Sequence, residues 1–528
     1  MSGNGNVTRL IKKINVIYLR TNDAMLNQYV EKILTSHVYD VAIETPLDVM
    51  SRLSQRLDNT ILLKREDLQP VFSFKLRGAY NRMSQLSVEE SNAGVVAASA
   101  GNHAQGVALA AKKMAISALI VMPKTTPSIK VEAVRAYGAE IALHGNSYDD
   151  AYSYALELSK KQGRTFIHPY DDPEVIAGQG TIAMEILRQH ADPIHAVFIP
   201  VGGGGLIAGM SAYIKAIRPE IKVIGVEPDD AASMKAALEA DQRVILDQVG
   251  LFADGTAVKQ VGAEPFRIAR KTVDEIITVD SDELCAAIMD IFDDTRSIAE
   301  PSGALAVAGV KKYIAREQLK GQTIVVIDSG ANINFDRLRH VAERAELGER
   351  REVLFATTID EKPGSFKLFC QALSDRGITE FNYRYSDNQQ AHVFVGVRIN
   401  GGDKERQALF KSLDDAGYDW VDFSDNEMAK LHVRYMVGGH APQVEHEQLY
   451  RFEFPERPGA LLRFLTRVGH RWNISLFHYR NHGAAYGRVL VGVQVKDDDQ
   501  TEFQAFLDAL GYTYTQETKN PAYKMFLK

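Results

Sequence analysis

The chain has 528 residues, a hydrophobic content of 45%, a charged content of 24% and a formal net charge of −7. This length predicts about two or three domains, and the composition is that of a soluble globular protein. Since no long block of like charge is present, we expect no nucleic-acid partner.

Residues 1–35 form a mildly basic N-terminal extension whose apolar run, VIYL, is too short for a secretory signal. The two cysteines, Cys285 and Cys370, are far apart and lack metal-ligand spacing, which predicts free thiols, a reducing compartment and no metal site. The most apolar window, AVFIPVGGGGLIAGMSAYI, is interrupted by Pro200 and four glycines. We therefore expect a cytoplasmic protein without a membrane segment.

Residues 36–335 alternate short β-branched runs with helical patterns. The runs are GVVAAS, ISALIVMP, AEIALHG, TFIHPY, AVFIPV, KVIGVEP and TIVVIDSG. Strands separated by helices predict an α/β domain with a parallel sheet and right-handed crossovers. Because ligands of such sheets bind at the carboxyl ends of the strands, we expect the functional site in the loops that follow these runs.

A lysine stands at the first candidate position. The stretch VFSFKLRGAYNRM, residues 71–83, puts Lys75 at the start of a predicted helix. A lysine in such a place is commonly a solvated charge, and only the other motifs of the domain favour a chemical role for it.

The second motif, AASAGNHAQG, follows a predicted strand and begins a helix near His103. Backbone N–H groups at a helix start favour a carboxylate ligand, and the Asn102 amide can hydrogen-bond a ligand oxygen. His103 is either structural or a base. The motif predicts a carboxylate-binding loop of Ser99, Ala100, Gly101 and Asn102.

The third motif, IPVGGGGLIAGM, has the order strand, glycine loop, helix. Glycines let the backbone approach a phosphate closely, and a helix start supplies amide donors. A flexible linker is the alternative, although linkers seldom lie between an apolar strand and an apolar helix. Because the GxxxxGK[ST] spacing is missing, the kind of phosphate stays open. The predicted phosphate loop is Gly202, Gly203, Gly204, Gly205 and Leu206.

The last strand of the domain, TIVVIDSGAN, ends in Asp328 and Ser329, which point to opposite sides of the strand, so that only one can face the site. A lysine, a phosphate loop, a carboxylate loop and a strand-end polar group together suit an aldehyde cofactor that carries a phosphate. Pyridoxal phosphate is such a cofactor, and its amino-acid substrates displace the lysine, which then acts as a base. Burial would lower the pKa of that lysine.

Beyond the α/β domain, residues 336–351 alternate in charge sign and predict an exposed connecting helix. The chain then repeats itself at a nearly constant offset: PGSFKLF recurs as PGALLRF, ITEFNYR as ISLFHYR, and HVFVGVRI as RVLVGVQV. We predict two copies of a small α+β domain with an antiparallel sheet, at residues 352–425 and 447–528. Paired dimerisation modules without a ligand are the alternative.

The motifs SFKLRGAY, SAGNHAQG, VGGGGLIAG and DSGANINF, in this order, resemble the pyridoxal-phosphate-dependent threonine dehydratases of the tryptophan-synthase-β fold group. The similarity is closest to the biosynthetic, isoleucine-regulated members and extends from about residue 40 to the C-terminus. It implies a fold type II catalytic domain with parallel-rich sheets, followed by tandem ACT-like regulatory domains.

The resemblance also implies roles at matching positions. Lys75 would be the Schiff-base lysine and move the proton, Asn102 would lie near the phenolic oxygen of the cofactor, and Gly202 to Leu206 would surround its phosphate. Ser329 would face the pyridine nitrogen, where a hydroxyl makes the ring a weaker electron sink and favours β-elimination. Asp328 departs from the family, since relatives usually have an apolar residue there.

The implied reaction is the dehydration and deamination of L-threonine to 2-oxobutanoate and ammonia, the committing step of isoleucine biosynthesis, with L-serine as the alternative substrate. The implied effectors are isoleucine, which inhibits, and valine, which counteracts it, sensed through Tyr383 and Tyr479 unless these are plain core residues. A homotetramer is implied. The alternatives are β-replacement, as in cysteine synthesis, and an amino-acid sensor that has lost activity. Racemisation is disfavoured because racemase relatives carry a serine where this chain has Ala100.

Overall fold

The computed structural model describes residues 23–527, except 375, 386–389, 401, 437, 456–463, 467–470 and 481–485. The chain divides into two compact units, Met1–Ala345 and Glu346–Lys528. Most of the N-terminal extension and most of the PGALLRF motif lie outside the described residues.

The strands of the first unit form a six-stranded and a four-stranded sheet, in the orders β1-β2-β10-β7-β8-β9 and β5-β4-β3-β6. Neighbouring strands are parallel except for β1 and β2. The strands are β1 Leu47–Val49, β2 Thr60–Arg65, β3 Val95–Ala98, β4 Ala118–Met122, β5 Glu140–Leu143, β6 Thr165–Phe166, β7 Ala196–Pro200, β8 Lys222–Pro228, β9 Glu275–Val279 and β10 Thr323–Asp328.

Helices connect these strands and cover the sheets. They are α1 Ala24–Leu34, α2 Ser51–Leu57, α3 Lys75–Met83, α4 Val88–Ala93, α5 Asn102–Met114, α6 Ser128–Arg135, α7 Tyr148–Gln162, α8 Pro173–Gln189, α9 Gly205–Ile217, α10 Ser233–Glu239, α11 Ala263–Thr272, α12 Ser281–Thr295, α13 Pro301–Glu317 and α14 Arg337–Gly348. Strands β3, β4 and β7 are buried at every residue, as expected for parallel strands with both faces covered.

All seven predicted strands are present, and the parallel-rich α/β fold is confirmed. The strand pattern alone predicted a single sheet and the resemblance implied parallel-rich sheets; the structure has two, because β3 to β6 pair among themselves and form a separate sheet. Strands β1, β2 and β9 were not predicted. Strand β2, TILLKR, ends in two charged residues that suggest a surface, yet Lys64 and Arg65 are buried.

A buried ion-pair cluster accounts for Lys64 and includes Arg77 of α3, whereas Arg65 pairs with Asp67. The Arg77 guanidinium donates to Glu66 Oε2 at 2.8 Å and to Glu185 Oε1 at 2.6 Å. Lys64 Nζ donates to Glu185 Oε2 at 2.6 Å. Since all four side chains are fully buried, removal of one charge would leave its partner uncompensated.

The second unit contains one eight-stranded sheet in the order β14-β11-β13-β12-β16-β17-β15-β18. All of its strand pairs are antiparallel. Its strands are β11 Glu352–Asp360, β12 Ile378–Arg384, β13 Gln390–Arg398, β14 Trp420–Asp422, β15 Glu447–Pro455, β16 Asn473–Arg480, β17 Tyr486–Gln494 and β18 Thr513–Gln516. Its described helices are α15 Ser365–Ala372, α16 Gly402–Asp415, α17 Glu427–Leu431, α18 Gln500–Leu510 and α19 Pro521–Phe526.

The two predicted copies are visible in matching local details. Strand β12 has a register shift between Ile378 and Glu380, and β16 has one between Ile474 and Leu476. At each shift a glycine faces a hydroxyl residue: a Cβ at Gly396 would overlap Thr379 Oγ1, and a Cβ at Gly492 would lie 2.9 Å from Ser475 Oγ. The repeated antiparallel α+β architecture is confirmed.

Across the described part of the chain, no helix combines the length and the apolar character needed to cross a bilayer.

Candidate active site

Lys75 is the first residue of α3, and its partly buried side chain turns toward the loop after β6. Its Nζ donates to the carbonyl oxygen of Pro169 at 3.1 Å, and its backbone N–H donates to Ser73 Oγ at 3.3 Å. Burial lowers the pKa of the Lys75 amine to about 8, against the opposing charge of Glu300. The neutral amine, the form that attacks an aldehyde or accepts a proton, is therefore accessible near physiological pH.

The glycine loop lies between β7 and α9, as predicted from the sequence. A Cβ at Gly202 would lie 2.9 Å from Thr256 Cα, and a Cβ at Gly203 would overlap the ring of Tyr170. Gly204 has φ +92°, a left-handed conformation that side chains rarely adopt. The loop therefore consists of backbone alone, and the first amide groups of α9 have no carbonyl partner within their own helix.

Tyr170 joins this loop to the lysine. It follows Pro169, the acceptor of the Lys75 amine, and its Cα would lie 3.0 Å from a Cβ at Gly205. Burial raises the pKa of the Tyr170 hydroxyl to about 12, so this hydroxyl stays protonated and uncharged at physiological pH. Sequence reasoning missed this residue, although Tyr170 ends the run TFIHPY that predicted a strand; the observed strand β6 ends at Phe166, so Tyr170 lies in the loop after it.

The loop Ser99 to Asn102 lies between β3 and α5. The Gly101 N–H donates to Ser99 Oγ at 3.2 Å, and a Cβ at Gly101 would meet no atom within 4 Å. Asn102 Nδ2 donates to Glu300 Oε1 at 2.6 Å. The start of α5 packs against the start of α3, since a Cβ at Gly106 would lie 3.0 Å from the backbone nitrogen of Leu76.

His103 belongs to the same first turn but is held by the backbone. Its Nε2 lies 2.9 Å from the carbonyl oxygen of Ile167, and its ring is buried. Burial, helped by the charge of Lys75, lowers the pKa of His103 to about 3. Because an imidazole with so low a pKa accepts a proton only weakly at physiological pH, and because its Nε2 already contacts the backbone, the structural interpretation of His103 is favoured over a base.

Ser329 and Asp328 at the end of β10 have separate surroundings. The Ser329 hydroxyl donates to the carbonyl oxygen of Ser302 at 3.4 Å, and the Ser329 carbonyl accepts the N–H of Phe74 at 3.3 Å. Ser302 Oγ lies 3.4 Å from Thr256 Oγ1, and Thr256 packs on Gly202. Ser329 is therefore connected to the residue before Lys75 and, through Ser302 and Thr256, to the glycine loop.

The Asp328 carboxylate lies beside glycine backbone. Its Oδ1 accepts the N–H of Gly330 at 3.3 Å and would lie 2.8 Å from a Cβ at Gly303. Burial and the charge of Asp67 raise the pKa of Asp328 well above its usual range, against the opposing charge of Arg65.

Glu300 is a buried carboxylate of this site that sequence reasoning did not identify. It precedes Pro301 at the start of α13 and contacts Asn102, as described above. Burial, followed by the charge of Asp254, raises the pKa of Glu300 to about 7. The sequence IAEPSGA gives no signal for this role, because an acidic residue before a helix-starting proline is commonly a helix cap.

The residues predicted to sense effectors lie on the two central strands of the second unit. Strands β12 and β16 pair so that Phe381 faces Tyr479 and Tyr383 faces Phe477. Both tyrosines are buried in the core under the helices. The Tyr383 hydroxyl donates to Glu361, which also accepts Asn473 Nδ2 at 2.9 Å.

Comparison with known proteins defines the class. The family model described as pyridoxal-phosphate dependent enzyme matches residues 38–330, which is more than half of the chain. The model described as the C-terminal regulatory domain of threonine dehydratase matches residues 343–433 and 438–527. The chain therefore belongs to the pyridoxal-phosphate dependent enzymes.

Individual relatives identify the family within this class to which the chain belongs. The L-threonine dehydratase biosynthetic IlvA of Burkholderia multivorans is 58% identical over 506 residues, which cover 95% of this chain and 99% of that protein. Its Escherichia coli namesake is 55% identical over 500 residues, which cover 95% of this chain and 97% of that protein. Within its class, the chain is a member of the biosynthetic threonine dehydratase family of pyridoxal-phosphate dependent lyases, which confirms the resemblance read from the motifs.

A solved structure agrees with this assignment. The processed form of threonine deaminase isoform 2 from Solanum lycopersicum matches with a TM-score of 0.61 and 53% sequence identity, over 62% of this chain and 90% of that one.

The residues of the site fit pyridoxal phosphate. Lys75 supplies an amine with a lowered pKa, and the glycine loop supplies backbone amide donors and has no side chains of its own. Pro169 and Tyr170 connect these two parts. An aldehyde-reactive amine and a phosphate-binding loop are the two groups by which a protein holds this cofactor.

Proposed function

We propose that this chain converts L-threonine to 2-oxobutanoate and ammonia, the committing step of isoleucine biosynthesis. The observation that carries the proposal is the contact of Lys75 with the segment Pro169–Tyr170, which packs on the glycine loop. This arrangement occurs in a chain whose relatives, at 58% and 55% identity, are named L-threonine dehydratases.

Binding and orientation fall to three groups of the chain. The amide groups of Gly202 to Leu206 hold the cofactor phosphate at the start of α9. The backbone of Ser99 to Asn102 would bind the substrate carboxylate, and Asn102 would lie near the phenolic oxygen of the cofactor. When bound, pyridoxal phosphate supplies an electron sink that stabilises negative charge at the substrate α-carbon.

Proton transfer falls to Lys75. Its amine would take the α-proton of the bound amino-acid substrate. Burial keeps the pKa of this amine at about 8, so that a useful fraction is neutral near physiological pH. Ser329 would face the pyridine nitrogen of the bound cofactor with a hydroxyl, which would not keep that nitrogen protonated as a carboxylate would. Loss of the β-hydroxyl is therefore the favoured outcome.

The second unit regulates the first in this proposal. Isoleucine inhibits the enzyme and valine counteracts this inhibition, because the two effectors prefer different global states of the protein. Tyr383 and Tyr479 take part in sensing the effectors. Coupling of this kind amounts to about 1–3 kcal/mol. The support is the match of residues 343–433 and 438–527 to the threonine dehydratase regulatory domain. The protein would act as a cytoplasmic homotetramer.

Five segments are proposed for the chain: an extension at 1–35, a catalytic domain at 36–335, a connecting helix at 336–351, and regulatory domains at 352–425 and 447–528. The helix Arg337–Gly348 and the division after Ala345 support these limits.

The proposal is tested by a 2-oxo-acid assay of the purified protein with L-threonine and with L-serine, recorded together with the visible spectrum. Formation of 2-oxobutanoate, a cofactor absorption band and suppression by isoleucine that valine relieves are expected. A cofactor band with inert threonine would contradict the substrate, and consumption of sulfide would then indicate β-replacement. A protein without the band would instead be an amino-acid sensor.

A further inference from the structure

Glu300 occupies the N-cap position of α13 without capping it. Its carboxylate accepts no amide group of this fully described helix. The N-cap carboxylates of Asp23, Asp172 and Asp280, by contrast, each accept amide groups of their own helices. The Glu300 side chain is directed away from its helix and is buried.

The carboxylate ends a chain of hydrogen bonds that reaches the segment before Lys75. Asn102 Nδ2 donates to Glu300 Oε1 at 2.6 Å, and Asn102 Oδ1 accepts Asn332 Nδ2 at 2.8 Å. Asn332 Nδ2 also donates to the carbonyl oxygen of Val71 at 2.8 Å. An ionised carboxylate only accepts hydrogen bonds, so Glu300 dictates which end of the Asn102 amide points toward it.

Glu300 is also the carboxylate whose charge acts on Lys75, where it opposes the effect of burial on the amine. The groups that face Glu300 come from several segments. Asp254 disfavours its negative charge, whereas Lys130 and the hydrogen bonds from Asn102 and the backbone of Asn332 favour it.

We propose that Glu300 is a positioning residue of the active site: its buried carboxylate fixes the Asn102 amide and places a negative charge at the end of the hydrogen-bonded chain that leads to the segment before Lys75. The inference deepens the proposed function and rests on it for the activity measurements. The two effects are separable, because a glutamine at this position keeps an acceptor for Asn102 and loses the charge, whereas an alanine loses both.

The test compares the holoenzymes of the wild type, Glu300→Gln and Glu300→Ala. In each protein the visible cofactor band is titrated with pH, and kcat and KM for L-threonine are measured across the same range. We expect the midpoint of the band and the acidic limb of kcat to shift to lower pH in both variants, because loss of a nearby anion lowers the pKa of a cation. Glu300→Ala should also lose about tenfold or more in kcat through misplacement of Asn102.

The matched control is Asp280→Asn, which removes an N-cap carboxylate that does cap its helix. Its band midpoint and its kcat profile should equal those of the wild type. An unshifted midpoint in Glu300→Gln would overturn the charge role, and an unchanged kcat in Glu300→Ala would overturn the positioning role. Should the alanine variant fail to fold, Glu300→Asp takes its place, since it keeps the charge and withdraws the acceptor from Asn102. If the wild type leaves threonine unchanged, the proposed function fails while the band midpoint still decides the charge role.

Discussion

Lys75 Nζ donates a hydrogen bond to the carbonyl oxygen of Pro169 at 3.1 Å, and this contact connects segments that are far apart in the sequence. The residue after the proline, Tyr170, packs directly on Gly203 and Gly205 of the glycine loop. The lysine and the glycine loop therefore both contact one short segment that follows β6. The amine and the glycine loop, joined through this segment, belong to one site rather than two.

Replacement of Lys75 by alanine should abolish turnover and the cofactor band while the protein still folds. The side chain is partly buried and forms no ion pair in the described structure, so its loss costs little stability. We expect kcat to fall by at least about 10³-fold, because general base catalysis alone contributes 10² to 10⁴. The measurements are 2-oxo-acid formation, visible absorption and circular dichroism.

Lys112→Ala is the control, since this exposed lysine lies on α5 away from the lysine–proline contact. Retained turnover in Lys75→Ala, with the control normal, would refute the role given to Lys75.

Replacement of Gly203 by alanine should weaken cofactor binding. The added Cβ would overlap the Tyr170 ring, so either the loop or the ring must move. Overpacking of this kind costs about 1–3 kcal/mol, and we expect the dissociation constant for pyridoxal phosphate to rise about tenfold. Equilibrium titration of the absorption band measures it. In Gly439→Ala the added Cβ would meet no atom within 4 Å, so this variant should bind normally. Equal affinities in the two variants would contradict the packing of Tyr170 on the loop.

Several parts of the site follow from local sequence. The glycine loop and the strand-end Ser329 were predicted because each lies where an apolar strand meets a turn, and the structure has them there. Tyr170 and Glu300 could not be predicted, because their contacts with Gly203 and Asn102 depend on how distant segments pack. Local periodicity does not encode such packing.

The pairing of strands within a sheet also cannot be predicted from local sequence. The sequence pattern identifies β10 as a strand but does not indicate that it lies between β2 and β7. The two charges at the end of β2 also concealed that strand: the partner of Lys64, Glu185, comes from a later helix, and Arg65 is buried with Asp67, just beyond the strand.

The pKa of Lys75 predicts how the cofactor-stripped protein recombines with pyridoxal phosphate. Only the neutral amine attacks the aldehyde, and burial lowers the pKa of this amine to about 8. The recombination rate should therefore rise from pH 6, pass its midpoint near pH 8 and become constant above it. Stopped-flow absorption measures this rate. A midpoint near 10.4, the value of a solvated lysine, would show that Lys75 is not buried in solution.

The ion-pair cluster around Arg77 predicts a large effect on stability. In Arg77→Met, the carboxylates of Glu66 and Glu185 would stay buried but would lose the guanidinium that pairs with both of them. We expect the free energy of unfolding of the first unit to fall by about 3–5 kcal/mol. Chemical denaturation followed by hydrogen exchange in α3 measures it.

Arg82→Met is the matched control, because Arg82 lies on the same helix and forms a partly exposed pair with Asp172. Its loss should cost at most about 1 kcal/mol. Similar losses of unfolding free energy in Arg77→Met and Arg82→Met would mean that the cluster around Arg77 is solvated.

The last prediction concerns the second unit. In Tyr383→Phe, the ring keeps its contact with Phe366, whose centroid lies 4.8 Å away, but the hydroxyl no longer binds Glu361. We expect an altered isoleucine concentration at half-inhibition and a kcat at saturating threonine that stays within about twofold, because a coupling between sites can change without the chemical step. Tyr450→Phe is the control, as its hydroxyl binds Gln448 elsewhere in the sheet. An inactive Tyr383→Phe with a normal isoleucine response would contradict the sensing role, whereas loss of the response in both variants would indicate general loosening of the sheet.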